Sequence, residues 1–305
     1  MYYFCISKVY KPKQNMKHMK FFFLIFVSGS LLWAIQSCKS VQDAKDNISS
    51  AVDFANAETE FSGAFDVTDD INQSDGKIKK GSGYILPSGA IFTWVDSVMD
   101  ADGIKYDLDF GPLGTTVPYG LLCRDGKYRA GKLHVAVSKP YSTIGCAVTV
   151  TAASGDEYHS GIGATMTKIE GVLSITRSAT ETLDVSISGG KVTFAGKTAS
   201  FQGTKTITRT AGSGTPGAWG DEFTINGSGS GVNSDGDSYT WQINTPLIKR
   251  LQLGCARTFV KGVIEIKNTT ASTALSVDFD PLKNEACDLT ARATIGKRTF
   301  DFEVR

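Results

Sequence analysis

Beyond about residue 60 the chain alternates apolar and polar side chains with a period of two, the pattern of strands that bury one face and wet the other. Leu183-Asp184-Val185-Ser186-Ile187, the pair Gly189-Gly190 and Val192-Thr193-Phe194 read as a hairpin on a two-residue glycine turn. Glu222–Ile225 and Tyr239–Ile243 flank a loop rich in Gly, Ser, Asn and Asp. Thr258–Ile266 and Ala274–Phe279 flank Asn268-Thr269-Thr270, and Leu289–Ile295 and Arg298–Val304 close around Gly296-Lys297. Many strand positions are small or hydroxylated, as in Phe201–Thr210. No long stretch after residue 60 carries helical period. The pattern predicts an all-β antiparallel architecture, built as meander sheets or a sandwich.

The front of the chain follows another rule. Phe21–Ser37 is a short apolar run, preceded by lysines and followed by Cys38 and a polar stretch. About 15 apolar residues fall short of the roughly 20 that span a bilayer, and the layout matches a cleaved export signal. Residues 1–37 are therefore expected to be a signal peptide, with Met16 or Met19 as alternative starts. Cys38 is expected to be the acylated first residue of the mature protein. Between Lys39 and about Glu60 apolar residues recur at Val41, Ala44, Ile48, Val52 and Ala55, which predicts a short amphipathic helix or a loose tether over 38–60.

Loss of the leader changes the charge. The whole chain has 32 Lys and Arg against 31 Asp and Glu; the leader removes five lysines and no acid, leaving 27 against 31, or −4. No basic stripe remains to point to nucleic acid. Cys5 leaves with the leader and Cys38 carries lipid, so Cys123, Cys146, Cys255 and Cys287 are available to pair. A hairpin turn near residues 270–271 brings Cys255 opposite about position 286. That predicts a Cys255–Cys287 disulfide and leaves Cys146 as the partner for Cys123; the alternative for each is a buried thiol. With no Cys-x-x-Cys pair and two mature histidines, zinc is not expected.

A weak repeat links Tyr106–Gly111, Cys123 and Asp125–Arg129 with Leu275–Asp280, Cys287 and Ile295–Arg298. It predicts two similar β units, 61–160 and 161–305. Asp109-Phe110-Gly111 with Cys123, the Gly-Ser alternation at 227–231, Asn244-Thr245-Pro246-Leu247, Cys255, and Asp278-Phe279 with Cys287-Asp288 carry a further signal. Over roughly residues 85–305 this pattern resembles uncharacterised exported lipoproteins of Bacteroidota. The resemblance implies an all-β envelope lipoprotein and supports acylation at Cys38. It implies no activity.

Candidate chemistry is sparse. Asn233–Ser238, Asp100–Gly103 and Asp69-Asp70 with Asp75-Gly76 look like fragments of calcium loops, but they lack the closing carboxylate and read as turns. No Gly-x-Ser-x-Gly elbow is present. His134 alternates with Leu133 and Val135, which places it on a wet sheet face, and His159 is expected in a loop or at a hairpin tip with Glu157 as an acid–base companion. Trp94 and Trp241 read as core. Trp219, in a Gly/Pro-rich segment, is a candidate for stacking on a sugar or anchoring a partner, against the plainer reading of a tryptophan folded over the sheet. The expected function is a non-enzymatic, lipid-anchored outer-membrane protein, structural or ligand-binding, with no catalytic residue, metal or cofactor, the membrane as partner through its lipid, and a glycan or protein partner left open. A glycan- or protein-binding module of an uptake system is the alternative, and a hydrolase is third.

Overall fold

Period-two alternation becomes sixteen antiparallel strands in a computed structural model that describes residues 48–73, 85–152, 155–213, 220–252, 254–256, 259–271 and 273–303. Cys38, the run before it, Asp75-Gly76 and Trp219 lie outside these residues. The strands are β1 (Ile91–Asp100), β2 (Gly103–Asp109), β3 (Leu121–Leu122), β4 (Tyr128–Ala130), β5 (Lys132–Val137), β6 (Ala147–Ala152), β7 (Tyr158–Gly161) and β8 (Met166–Ala179). They continue with β9 (Thr182–Phe194), β10 (Lys197–Ala211), β11 (Glu222–Val232), β12 (Ser238–Arg250), β13 (Lys261–Asn268), β14 (Leu275–Asp278), β15 (Thr290–Ile295) and β16 (Arg298–Glu303). They form one sheet in the order β1-β2-β5-β6-β8 and onward to β16, with β3, β4 and β7 on a side branch that rejoins at β8. The meander is thus the realised form. The boundary expected between 160 and 161 falls inside β7, and the sheet runs across it without a break.

The helix, α1 (48–72), is longer than the spacing up to Glu60 suggested. Residues 61–72, read as the start of the first β unit, complete it. Phe61, Ala64, Phe65 and Ile71 are buried on it at helical spacing. From Ala57 to Asn72 every residue is buried, polar ones included. A helix hidden on all sides must be surrounded. The sheet bends around it, so that Tyr106 of β2, Arg129 of β4, Lys205 of β10 and Lys249 of β12 all bond to helix residues. No helix among the described residues is long and apolar enough to cross a membrane.

The core centres where α1 meets β10 and β12. Phe54 and Phe61, two helical turns apart, pack on Phe201, whose ring stacks on Trp241 at 5.4 Å with planes 10° apart. Room for these rings comes from the opposing strand. In register, Gly203 faces Gly229, Gly229 faces Trp241 and Gly231 faces Tyr239. A Cβ on Gly229 would sit 2.7 Å from Trp241 Cε2. The Gly-Ser-Gly-Ser-Gly run therefore lies within β11, not in a loop: its glycines point inward to seat aromatic rings and its serines point outward.

Gly189-Gly190 also differs from expectation. The pair makes no turn; it sits inside β9 at a bulge, with Gly189 at φ 59° and Gly171 of β8 at φ 125°. A Cβ on Gly171 would lie 2.8 Å from the Gly190 Cα, so the two strands approach backbone to backbone there. The hairpins over β13–β14 and β15–β16 form as expected. Trp241 is core, whereas Trp94 is 38% exposed on the edge strand β1, packing edge-on against Phe92 and Tyr106.

Candidate functional site

The acids of α1 enter a sheet interior that cannot solvate them, so each requires a partner. Glu58 receives Lys205 Nζ at 2.6 Å and Glu60 receives Lys127 Nζ at 3.0 Å. Asp66 is bonded to Lys249, and Asp69 to Tyr141 and Gln73. Asp70 caps the backbone N–H of Ile85 at 2.8 Å, and Asn72 accepts from Tyr106 Oη at 2.8 Å. Below them Arg129 is fully buried. It grips Asp125 with both Nη atoms at 2.9 and 2.6 Å and also donates to Tyr158 Oη and the Gly63 carbonyl.

Burial sets the proton affinities here. It raises Asp69 to about 6 against the pull of Tyr141, Gln73 and Arg177. Burial also raises Asp66, although Lys249 opposes it. At Asp125 burial works the same way, but the Arg129 guanidinium prevails and holds that carboxyl below its usual range. These pairs lock the helix to the sheet and leave no acid free to act on a ligand inside the core.

One cleft of about 600 Å3 opens where the first turns of α1 meet the ends of β7 to β10 and the last residues of β16. Val52, Ala55, Ile162, Val192, Phe194 and Phe302 give it apolar walls. Its floor is polar. Thr167, 7% exposed, lines the cleft with a hydroxyl that bonds to no described residue, and Glu60 lines it from the pair with Lys127. Asn56 adds an amide without a described partner. Asp53 accepts from the Ser234 N–H at 2.7 Å, and Lys197 reaches Asp235 at 3.1 Å. Apart from Glu303 on the exposed rim, every charged side chain of the lining thus has a partner. Such a volume with apolar walls and few polar groups suits a small ligand.

The histidines do not join this cleft. His134 lies on a wet sheet face, as its alternation predicted, with Nδ1 2.8 Å from Asp107 and Nε2 2.9 Å from Asp156. Partial burial works against its charge, but the hydrogen bonds to the two carboxylates outweigh this and raise its affinity for a proton. His159 is neither in a loop nor at a hairpin tip. It is 8% exposed within β7, with Nδ1 2.9 Å from the Glu157 carbonyl, while the Glu157 carboxylate turns to Lys168. The acid–base pair is not assembled, because the His159 ring bonds to the main-chain carbonyl of Glu157 while Lys168 holds the Glu157 carboxylate.

Cys255 and Cys287 are bonded, with Cα atoms 4.6 Å apart and 32 residues between them in sequence. The Cys123–Cys146 pairing is corrected: both are free, buried thiols. Cys123 Sγ donates to the Leu121 carbonyl at 3.7 Å and Cys146 Sγ to the Lys139 carbonyl at 3.2 Å, each within its own loop. Two of the three acidic loops are turns; Asp69-Asp70 instead lies inside α1, where apolar spacing carries the helix past it, and Asp75-Gly76 is outside the described residues. Asn233 Oδ1 accepts from the N–H groups of Asp235 and Asp237, and Asp100 Oδ1 from that of Asp102. Among the described residues no group of His, Cys, Asp and Glu could hold a metal ion.

Sequence reasoning did not find the cleft. Its lining comes from five separated segments, and the signal available was the apolar pair Val192 and Phe194 at a strand end next to the helical spacing of Val52 and Ala55. No protein-family model, curated protein or solved structure matches the chain.

Proposed function

We propose that this protein is a lipid-anchored, non-enzymatic component of the bacterial outer membrane whose β body binds a small, uncharged, mostly apolar ligand carrying one hydrogen-bonding group. The cleft carries the reading. Its walls are apolar, its charged groups apart from Glu303 on the rim already have partners, and Thr167 and Asn56 offer polar contacts that no described side chain takes up. The absence of catalysis is supported by the engagement of both His134 nitrogens and of the Glu157 carboxylate. The anchor rests on the run before Cys38.

Titration with N-phenyl-1-naphthylamine, an uncharged apolar fluorophore, tests the cleft. Saturable one-to-one binding is expected, with at least a tenfold loss of affinity in Phe194→Asp, whose side chain stands partly exposed at the mouth. Binding that never saturates, or that Phe194→Asp leaves unchanged, overturns the ligand reading. The anchor is tested separately, because Cys38→Ala should abolish palmitate labelling and membrane fractionation.

A further inference from the structure

The serines that alternate with the inward glycines of β11 belong to a larger pattern on the outside of the sheet. Register aligns Ser174, Ser186, Thr204, Ser228 and Gln242 in one row across β8 to β12. A second row holds Thr176, Asp184, Thr206 and Asn226. On the other side of the first row lie Gln202, Ser230 and Thr240. Asp184 is the single charged side chain in the three rows, in a protein of which 21% of residues are charged. No aromatic or aliphatic side chain stands among them.

We propose that this outward face of β8 to β12 binds an uncharged, extended polysaccharide. Hydroxyls and amides both donate and accept, as sugar hydroxyls do, so the two surfaces can exchange hydrogen bonds in either sense. Asp184 accepts from Thr206 at 3.0 Å and Gln202 donates to Ser230 at 3.1 Å, which steadies the rows. The side chains of Ser174, Ser186, Thr204, Asn226 and Ser228 make no hydrogen bond to another described residue. They surround a shallow depression of about 330 Å3. Strand spacing sets side chains about 4.8 Å apart along a row, so five strands offer on the order of 20 Å of continuous polar surface. The χ1 stiffness of threonine reduces the ordering cost of contact.

Charge narrows the class of partner. An anionic polymer requires cations, and these rows hold none. A protein partner of ordinary composition would meet no apolar anchor here. Without aromatic stacking each contact gains little once water has been exchanged, so one sugar unit would not hold. A polymer that crosses several rows accumulates contacts, and length supplies the affinity. The face lies outside the cleft, and its occupancy does not depend on a cleft ligand.

Cosedimentation of the purified protein with insoluble chitin and with cellulose tests the proposal. The protein should pellet with at least one of them, and T204D/S228D, which places charge in the first row without touching the core, should lower the bound fraction at least fivefold. T204A/S228A should lower it at least twofold, and free N-acetylglucosamine or glucose should not compete. Phe194→Asp should leave sedimentation unchanged, which separates this face from the cleft. Failure to pellet with either glycan, equal pelleting of T204D/S228D with circular dichroism showing it folded, or equal capture on heparin overturns the proposal.

Discussion

Lys205 and Glu58 meet in the middle of the protein, Nζ 2.6 Å from Oε1, although 147 residues separate them in sequence. Their side chains are 4% and 2% exposed. Lys205 also lies 5.6 Å from the Phe201 ring centroid and 6.0 Å from that of Trp241, so the ammonium is enclosed by aromatic faces and one carboxylate.

Breaking this pair on one side should be costly. Lys205→Met leaves Glu58 charged and alone, and urea denaturation should show a loss of about 3–5 kcal/mol. The double variant E58M/K205M removes both charges and should recover much of that loss. If the double variant is as unstable as the single one, the cost lies in packing and not in the charge.

Asp69 predicts a pH dependence of known sign. Its folded value of about 6 lies above the ordinary aspartate value of about 3.8, so the folded state holds the proton more tightly. Stability from this group is greatest below about pH 4 and is lost as pH rises through 6. At 1.36 kcal/mol per unit, the span is on the order of 3 kcal/mol. Denaturation of wild type and Asp69→Asn between pH 4 and 7.5 should show the two converging at low pH, with the variant relatively more stable at high pH. A constant difference across the range would contradict this assignment.

Gly229→Val should act directly on the aromatic core. The new side chain would enter the space of Trp241 Cε2, 2.7 Å from the first added atom, and meet the backbone of Gly203 at a similar distance. Overpacking of this kind costs about 1–3 kcal/mol, and the tryptophan emission should shift. Ser228→Val, one residue away and facing out, should leave both measurements near wild type.

Cys255 and Cys287 close a loop 32 residues apart in sequence, worth roughly 3–4 kcal/mol in the chain-entropy estimate. Cys255→Ala should lower the urea midpoint accordingly, and reductant should have little effect on that variant. In non-reducing peptide mapping Cys123 and Cys146 should both accept alkylation after unfolding, since neither is bonded.

How much of this was legible beforehand follows from the range of each interaction. Period-two alternation reports which side of a strand is buried, and it located β10 and the two C-terminal hairpins. It could not say whether Gly189-Gly190 turned the chain or bulged it, because glycine permits both and the choice depends on Gly171 in another strand. Residues 61–72 carried the apolar spacing of a helix at Phe61, Ala64, Phe65 and Ile71, but Gly63, Thr68, Asp69 and Asp70 are poor helix formers. What makes the segment helical is the set of partners waiting for its acids, and none of those lies within 50 residues except Gln73 and Ile85. Register foresaw Cys255 and Cys287; elimination, with no geometry behind it, led to Cys123 and Cys146.

The placement of α1 also sets an order of events. The helix lies near the start of the chain, yet Asp66 meets Lys249, 183 residues later. Contacts of such long separation slow folding; Glu60 and Glu58 find Lys127 and Lys205 earlier in the chain, but Asp66 has no cation until β12 is made. A ribosome or an export channel that releases the chain from its front therefore delivers the centre of the protein first and its wall last. The early segment has to wait, hydrated and largely unstructured, until the late strands close over it. Truncation before β12 would leave a chain that contains its helix and the cations of Glu58 and Glu60, but neither Trp241 nor the cation of Asp66.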